Sequence, residues 1–124
     1  MIERLRQEHR DLDAAIDALC ADVVAAVRAG KVIVVLSDRK IGKDRLSIPA
    51  LFATGAVHHA LTDAGLRCDA NLVVETGSAR DPHQIAALIG YGATAVYPYL
   101  AYQSIASLVA TGEVGVPLTK ALAN

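Results

Sequence analysis

The sequence predicts an α/β fold, a parallel sheet of about three strands built from βαβ units. Three observations carry this. Two apolar runs, Leu72–Val74 and Ala93–Val96, flank a helical pattern that opens at Asp81–Pro82 and stops at Gly90–Tyr91–Gly92. A connection of that length cannot be a hairpin, so the flanking strands lie parallel, and such crossovers are right-handed. A third run, Val32–Leu36, is β-branched and apolar on both faces, as strands of covered parallel sheets are.

Taken in order, residues 1–10 are polar and read as a frayed lead-in, and residues 11–124 as one α/β domain. Leu12, Ile16, Leu19, Val23 and Val27 recur at spacings of three and four, one apolar helical face, and Gly30 ends that helix. Lys31 opens the first strand, which ends at Ser37–Asp38–Arg39. A polar loop runs to Ser47, a candidate N-cap with Pro49 in the first turn. The helix that follows runs to about Asp63, with Leu51, Ala56, His59 and Ala60 among its core-side candidates, and Gly65 closes it. Asp81 caps the next helix, Pro82 suits its first position, and Gly92 can take the left-handed backbone that ends it. After Pro98 a helix runs to about Ala110 with Leu100, Ile105, Leu108 and Val109 as core contacts. Val116–Pro117 then introduce a further helix.

Composition narrows the function classes. With 124 residues, 53% of them apolar, the chain can bury a real core. Its formal net charge is −1, with both signs scattered, and aromatics are few. That excludes a basic nucleic-acid groove or a polybasic membrane patch, and stacking platforms for bases are not expected. No Asp, Glu, Lys or Arg occurs from Pro82 through Gly112, but Gly90, Gly92, Pro98, Gln103 and Ser104 interrupt the stretch where βα punctuation falls, against a membrane span. Cys20 and Cys68 read as plain thiols of a reducing, cytoplasmic setting, and the charged N-terminus is not a secretory signal.

Ligands of parallel α/β folds bind at the carboxyl ends of the strands. Asp38, Arg39 and Glu75 fall there, with Tyr97 and Tyr99, while Arg80 and His83 follow on the next loop and helix start. Two carboxylates and two arginines on one rim could clamp a small anionic ligand, or Asp38 or Glu75 could act as a general base. The plainer reading makes Asp38–Arg39 and Glu75–Arg80 loop-fixing ion pairs. His58–His59 are adjacent on a helix and point about 100° apart, a poor metal pair, so no metal is assigned. Gly90–Tyr91–Gly92 stands after a helix, the wrong context for a dinucleotide fingerprint, and Ser37 and Ser78 have no base partner or nucleophile elbow.

Three runs, AIDALCADVVAAVRAGKV, VLSDRKIGKDRLSIPALFATGAVHHAL and CDANLVVETGSARDPHQIAALIGYGATAVYPYLAY, together resemble the large chain of bacterial glutamate synthases of the NADPH-dependent type. The resemblance covers nearly everything from Asp11 on and implies the end of that enzyme's central domain, a partial (β/α) barrel. It also implies a non-catalytic segment linking the amidotransferase and FMN domains of an enzyme that makes two glutamates from glutamine, 2-oxoglutarate and NADPH. FMN and the iron–sulfur cluster would then belong to the full-length enzyme and not to this fragment. The implied partners are those domains and the small subunit. Asp38, Arg39, Glu75, Arg80 and His83 match the family pattern and are expected to order loops or an interface. One departure is His83–Gln84, where the family often has two histidines. The alternative is a free-standing α/β module that binds a small anion at the strand ends. Either way, three parallel strands leave open edges, so self-association is expected.

Overall fold

The computed structural model describes residues 2–43 and 47–123. Three strands, β1 (Ile33–Ser37), β2 (Asn71–Glu75) and β3 (Ala95–Tyr97), form a parallel sheet in the order β1-β2-β3. Ile33 pairs with Asn71 and Ser37 with Glu75, and Val73 and Glu75 pair with Ala95 and Tyr97. Helices α1 (Ile2–Arg28), α2 (Ala50–Asp63), α3 (Pro82–Gly90), α4 (Tyr99–Ala110) and α5 (Leu118–Ala123) complete the chain, with a 3₁₀ turn at Arg67–Asp69.

Sequential order and right-handed crossovers place successive connecting helices on one side of a sheet, the winding of a (β/α) barrel and not of a doubly wound sheet. The burial follows this rule. Leu36, Leu72 and Val74 face the helices and are buried with Val23 and Val27 of α1, Ala53, Val57 and Leu61 of α2, and Leu88 of α3. The alternate residues face the other way. Ile33 is 61% exposed, Val35 56% and Tyr97 43%. This is an open sheet of three strands with one covered face, an arc of a barrel.

The local signals act as their chemistry requires. Asp81 Oδ1 accepts from the Gln84 amide at 2.8 Å, and Pro82 occupies the first turn of α3. Gly65 and Gly92 take φ of +70° and +119° at the ends of α2 and α3. At Gly92 the fit is also steric: a Cβ there would lie 2.5 Å from His58 Cγ. Arg67 holds the amino end of the sheet. Its side chain donates to the Ala70 carbonyl at 2.9 Å, to the Gly92 carbonyl at 2.6 Å and to His58 Nδ1 at 3.0 Å.

Four expectations need correction. The helix α1 begins at Ile2, so the lead-in expected to fray continues it; no glycine or proline interrupts the chain before Gly30. Ser47 does not cap α2. Pro49 stands at that position with no side-chain cap bond, and Thr54 Oγ1 instead turns back to the Ala50 carbonyl at 2.7 Å. The buried face of α2 is Ala53, Thr54, Val57 and Leu61, while His59 is exposed and Leu51, Ala56 and Ala60 are half-buried. Of the residues expected to bring α4 into the core, Leu100 and Leu108 are 41% and 40% exposed, because α4 packs chiefly against α5 and lies at the open end of the sheet. No helix among the described residues is long and apolar enough to cross a membrane.

Candidate functional site

The carboxyl ends of the strands carry a polar cluster built from the three loops that follow them. Asp38 is its centre. Its Oδ2 accepts from Thr76 Oγ1 at 2.6 Å, and its Oδ1 accepts from the Tyr99 hydroxyl at 2.7 Å. The Gly77 amide donates to both oxygens, at 3.1 and 3.2 Å. One carboxylate therefore ties the loops after β1, β2 and β3 together. Thr76 and Gly77 are buried, and Thr76 Oγ1 also shares a 2.8 Å bond with Ser78 Oγ. The bond to Asp38, with burial and the neighbouring acidic charge adding to it, pushes the Tyr99 phenol above its ordinary pKa.

Glu75 makes the second tie. Ser37 Oγ donates to its Oε2, and Arg39 Nε donates to its Oε1 at 2.6 Å. The Arg39 guanidinium lies 4.5 Å from the Tyr99 ring centroid and 5.7 Å from that of Tyr97, so it stacks as well as pairs. Tyr97 in turn packs against Tyr102, with centroids 5.5 Å apart. The Arg39 and Glu75 side chains are 45% and 21% exposed, so the ion pair itself is a modest contributor, about 0.2–1 kcal/mol. The buried donors on Asp38 matter more, since charge-assisted bonds are worth about 1.5–3 kcal/mol each.

The structure thus brings Asp38, Arg39 and Glu75 together and leaves Arg80 and His83 apart. The expected pairs are rearranged: Glu75 holds Arg39 in place of Arg80, and Asp38 holds hydroxyls and an amide in place of Arg39. The Arg80 amide donates to Gln84 Oε1 at 2.7 Å, while the side chains of Arg80 and His83 are exposed at the start of α3. Tyr99, expected at the strand ends, is central to the cluster, and so is Thr76, which carries no local motif that marks it. Next to the cluster a cleft of about 690 Å³ opens between the sheet and the helices, lined by Leu19, Asp38, Arg39, Lys40, Ile48 and Ala53 among others. Its cationic lining residue Arg39 is already neutralised by Glu75.

The two cysteines lie on separate elements. Cys20 is half-buried on α1, where burial and Asp17 raise its thiol pKa, and Cys68 is exposed on the 3₁₀ turn. An iron–sulfur cluster takes three or four protein ligands, thiolates for the most part, and two cysteines do not supply them. Among the described residues no group of three His, Cys, Asp or Glu side chains is arranged to hold a metal ion. His58 uses its Nδ1 as an acceptor for Arg67, a packing role.

The sequence model of the glutamate synthase central domain matches residues 1–124. The NADPH-type glutamate synthase large chain of Azospirillum brasilense is 41% identical over 124 residues, 99% of this chain and 7% of its own length. The corresponding large chain of Bacillus subtilis is 35% identical over 114 residues, 92% of this chain and 8% of its own. The ferredoxin-dependent glutamate synthase 2 of Synechocystis is 46% identical over 98 residues, 76% of this chain and 6% of its own. The chain therefore spans only a small part of the length of these relatives. With a match across its whole length and a fold that is an arc of a parallel barrel, the chain belongs to the glutamate synthase central-domain family.

Proposed function

We propose that this chain is a non-catalytic structural segment of a glutamate synthase, holding the amidotransferase and FMN domains of that enzyme in register. The observation that supports this is where the strand-end charges go. Asp38 and Glu75, the two carboxylates at the strand ends, are each consumed by ties between loops of this chain. A general base would instead stand free toward a ligand, within hydrogen-bond reach of the proton it takes. Asp38, Arg39 and Glu75 are assigned to ordering the rim. Arg80 and His83, exposed at the start of α3, are assigned to contact with the neighbouring FMN domain.

In this reading the chemistry of the whole enzyme, from glutamine, 2-oxoglutarate and NADPH to two glutamates, takes place on other parts of the polypeptide. FMN and the iron–sulfur cluster are bound there too, and the small subunit is a further partner of the whole enzyme. The cytoplasm is the setting this implies, in keeping with the unpaired Cys20 and Cys68.

The test is Glu75→Gln in the full-length enzyme, with ammonia-dependent and glutamine-dependent glutamate formation measured separately. Removing a general base costs about 10²–10⁴-fold in turnover. The scaffold reading expects ammonia-dependent turnover to stay within about threefold of wild type, with any larger loss confined to glutamine-dependent coupling. A drop of a hundredfold or more in ammonia-dependent turnover would give Glu75 to catalysis and overturn the reading.

A further inference from the structure

The rim ties account for only part of Arg39. Its Nε donates to Glu75 Oε1 at 2.6 Å, and its guanidinium carbon lies 4.5 Å from the Tyr99 ring centroid. A guanidinium carries several N–H donors in one planar fork, and the bond to Glu75 uses the single donor on Nε. No hydrogen bond among the described residues uses the two terminal nitrogens. The side chain is nonetheless 45% exposed. A surface arginine ordinarily gives up much rotamer freedom when it binds a partner. Here the ion pair and the stack have already fixed the plane, so the open end of the fork is preorganised for a planar, two-oxygen acceptor.

Arg39 borders the cleft of about 690 Å³ described above, and that cleft has two kinds of wall. Arg39 and Lys40 stand at the rim, on the loop that follows β1. Leu19 of α1, Leu36 of β1, Ile48 and Ala53 of α2 make an apolar side. The volume is within the range of small-molecule sites, which pair apolar walls with a few placed polar groups. The charges then narrow the ligand. Asp38 and Glu75 offset Arg39 and Lys40, so the ionised lining sums to zero. A polyanion finds no surplus positive field there, whereas a single carboxylate finds aimed donors.

We propose that this cleft binds a small aliphatic monocarboxylate, its head on the terminal nitrogens of Arg39 and its tail against Leu19, Leu36, Ile48 and Ala53. The site goes beyond the scaffold reading and does not depend on it. Glu75 has a positioning role here: it holds Nε and so aims the rest of the fork.

The test is a titration of the isotope-labelled 124-residue chain with hexanoate, following the methyl resonances of Leu19 and Ile48. The expected result is a saturable shift of both, half complete at roughly 1–10 mM, the scale for a ligand of about eight heavy atoms. Hexanol has the same tail without the carboxylate and should need at least about tenfold more. Arg39→Lys keeps a cation beside Glu75 but removes the fork, so it should weaken hexanoate at least about fivefold and leave hexanol unchanged. If that variant misfolds, the comparison of hexanoate with hexanol on the unaltered chain decides alone. Equal affinity for the two, shifts confined to other residues, or no saturation overturns the proposal. So does hexanoate binding that is present in the 124-residue chain and absent from the full-length glutamate synthase, which gives the cleft to another part of that polypeptide. None of these readings uses turnover, so this proposal and the scaffold reading can fail separately.

Discussion

Replacing Asp38 with alanine removes the acceptor shared by three loops, and the structure allows the cost to be worked out donor by donor. Thr76 Oγ1 retains Ser78 as a partner, and the Tyr99 hydroxyl, on a half-buried residue, can turn to water, so each loses about 1 kcal/mol. The Gly77 amide is worse placed. It lies in a buried residue, covered by Leu100 and Tyr99, and with Asp38 gone it has no acceptor, a penalty of about 1–3 kcal/mol. The sum is roughly 3–5 kcal/mol, a large share of the 5–15 kcal/mol typical of a domain. For a chain of this size that is a fall in Tm of about 10–20 °C. Asp38→Asn keeps one carbonyl oxygen but turns an amide toward donors, so it should fall between alanine and wild type. Urea unfolding of the three proteins, with the denaturant slope held constant, measures the difference. Tyrosine absorbance against pH adds a reading specific to the site, because loss of the carboxylate should bring the Tyr99 pKa back down toward its ordinary value. A stability change under about 0.5 kcal/mol, or an unchanged tyrosine titration, would refute the claim that Asp38 fastens the strand ends.

The remaining predictions concern the other ties. Gly92→Ala should destabilise by roughly 2–4 kcal/mol, from its positive φ and from the Cβ that would meet His58; His58→Ala in the same chain should recover only a fraction of the steric part, because His58 Cβ itself lies 2.7 Å from the new group, as a double-mutant cycle in thermal melts will show. Because the folded pKa of Tyr99 is raised, the unfolded chain gives up the phenol proton first. The contribution of Tyr99 to stability is therefore complete below about pH 10 and is lost as pH rises through the folded value, and Tyr99→Phe should flatten that alkaline decline in urea midpoints. Asp81→Ala removes the acceptor for the Gln84 amide and should cost about 1 kcal/mol by chemical denaturation, while Asp81→Ser should restore most of it.

The fold could be read from the chain because its punctuation is local. Asp81–Pro82, Gly65 and Gly92 act within one turn of themselves, and the apolar runs of β1 and β2 need no partner to be recognised. The rim cluster could be located but not wired. Asp38 meets Thr76 across 38 residues and Tyr99 across 61, and no spacing rule joins residues that distant. Adjacent letters suggested Asp38–Arg39 and Glu75–Arg80, whereas parallel register sets Ser37 beside Glu75 and so brings the next side chain, Arg39, over that carboxylate. The inward face of α2 was hidden for another reason. The helix is apolar around most of its circumference, so periodicity left Val57 and Leu61 no better marked than Leu51 or Ala60.

The two ends of the sheet are fastened by charges of opposite sign. At the amino end the Arg67 cation collects the carbonyls of Ala70 and Gly92, and at the carboxyl end the Asp38 anion collects an amide and two hydroxyls. Strands slide past one another in whole-residue steps, and a step of even two residues between β2 and β3, the smallest that keeps the same side chains inward, would break both fastenings at once. The arc therefore behaves as a braced beam and not a stack of loose slats.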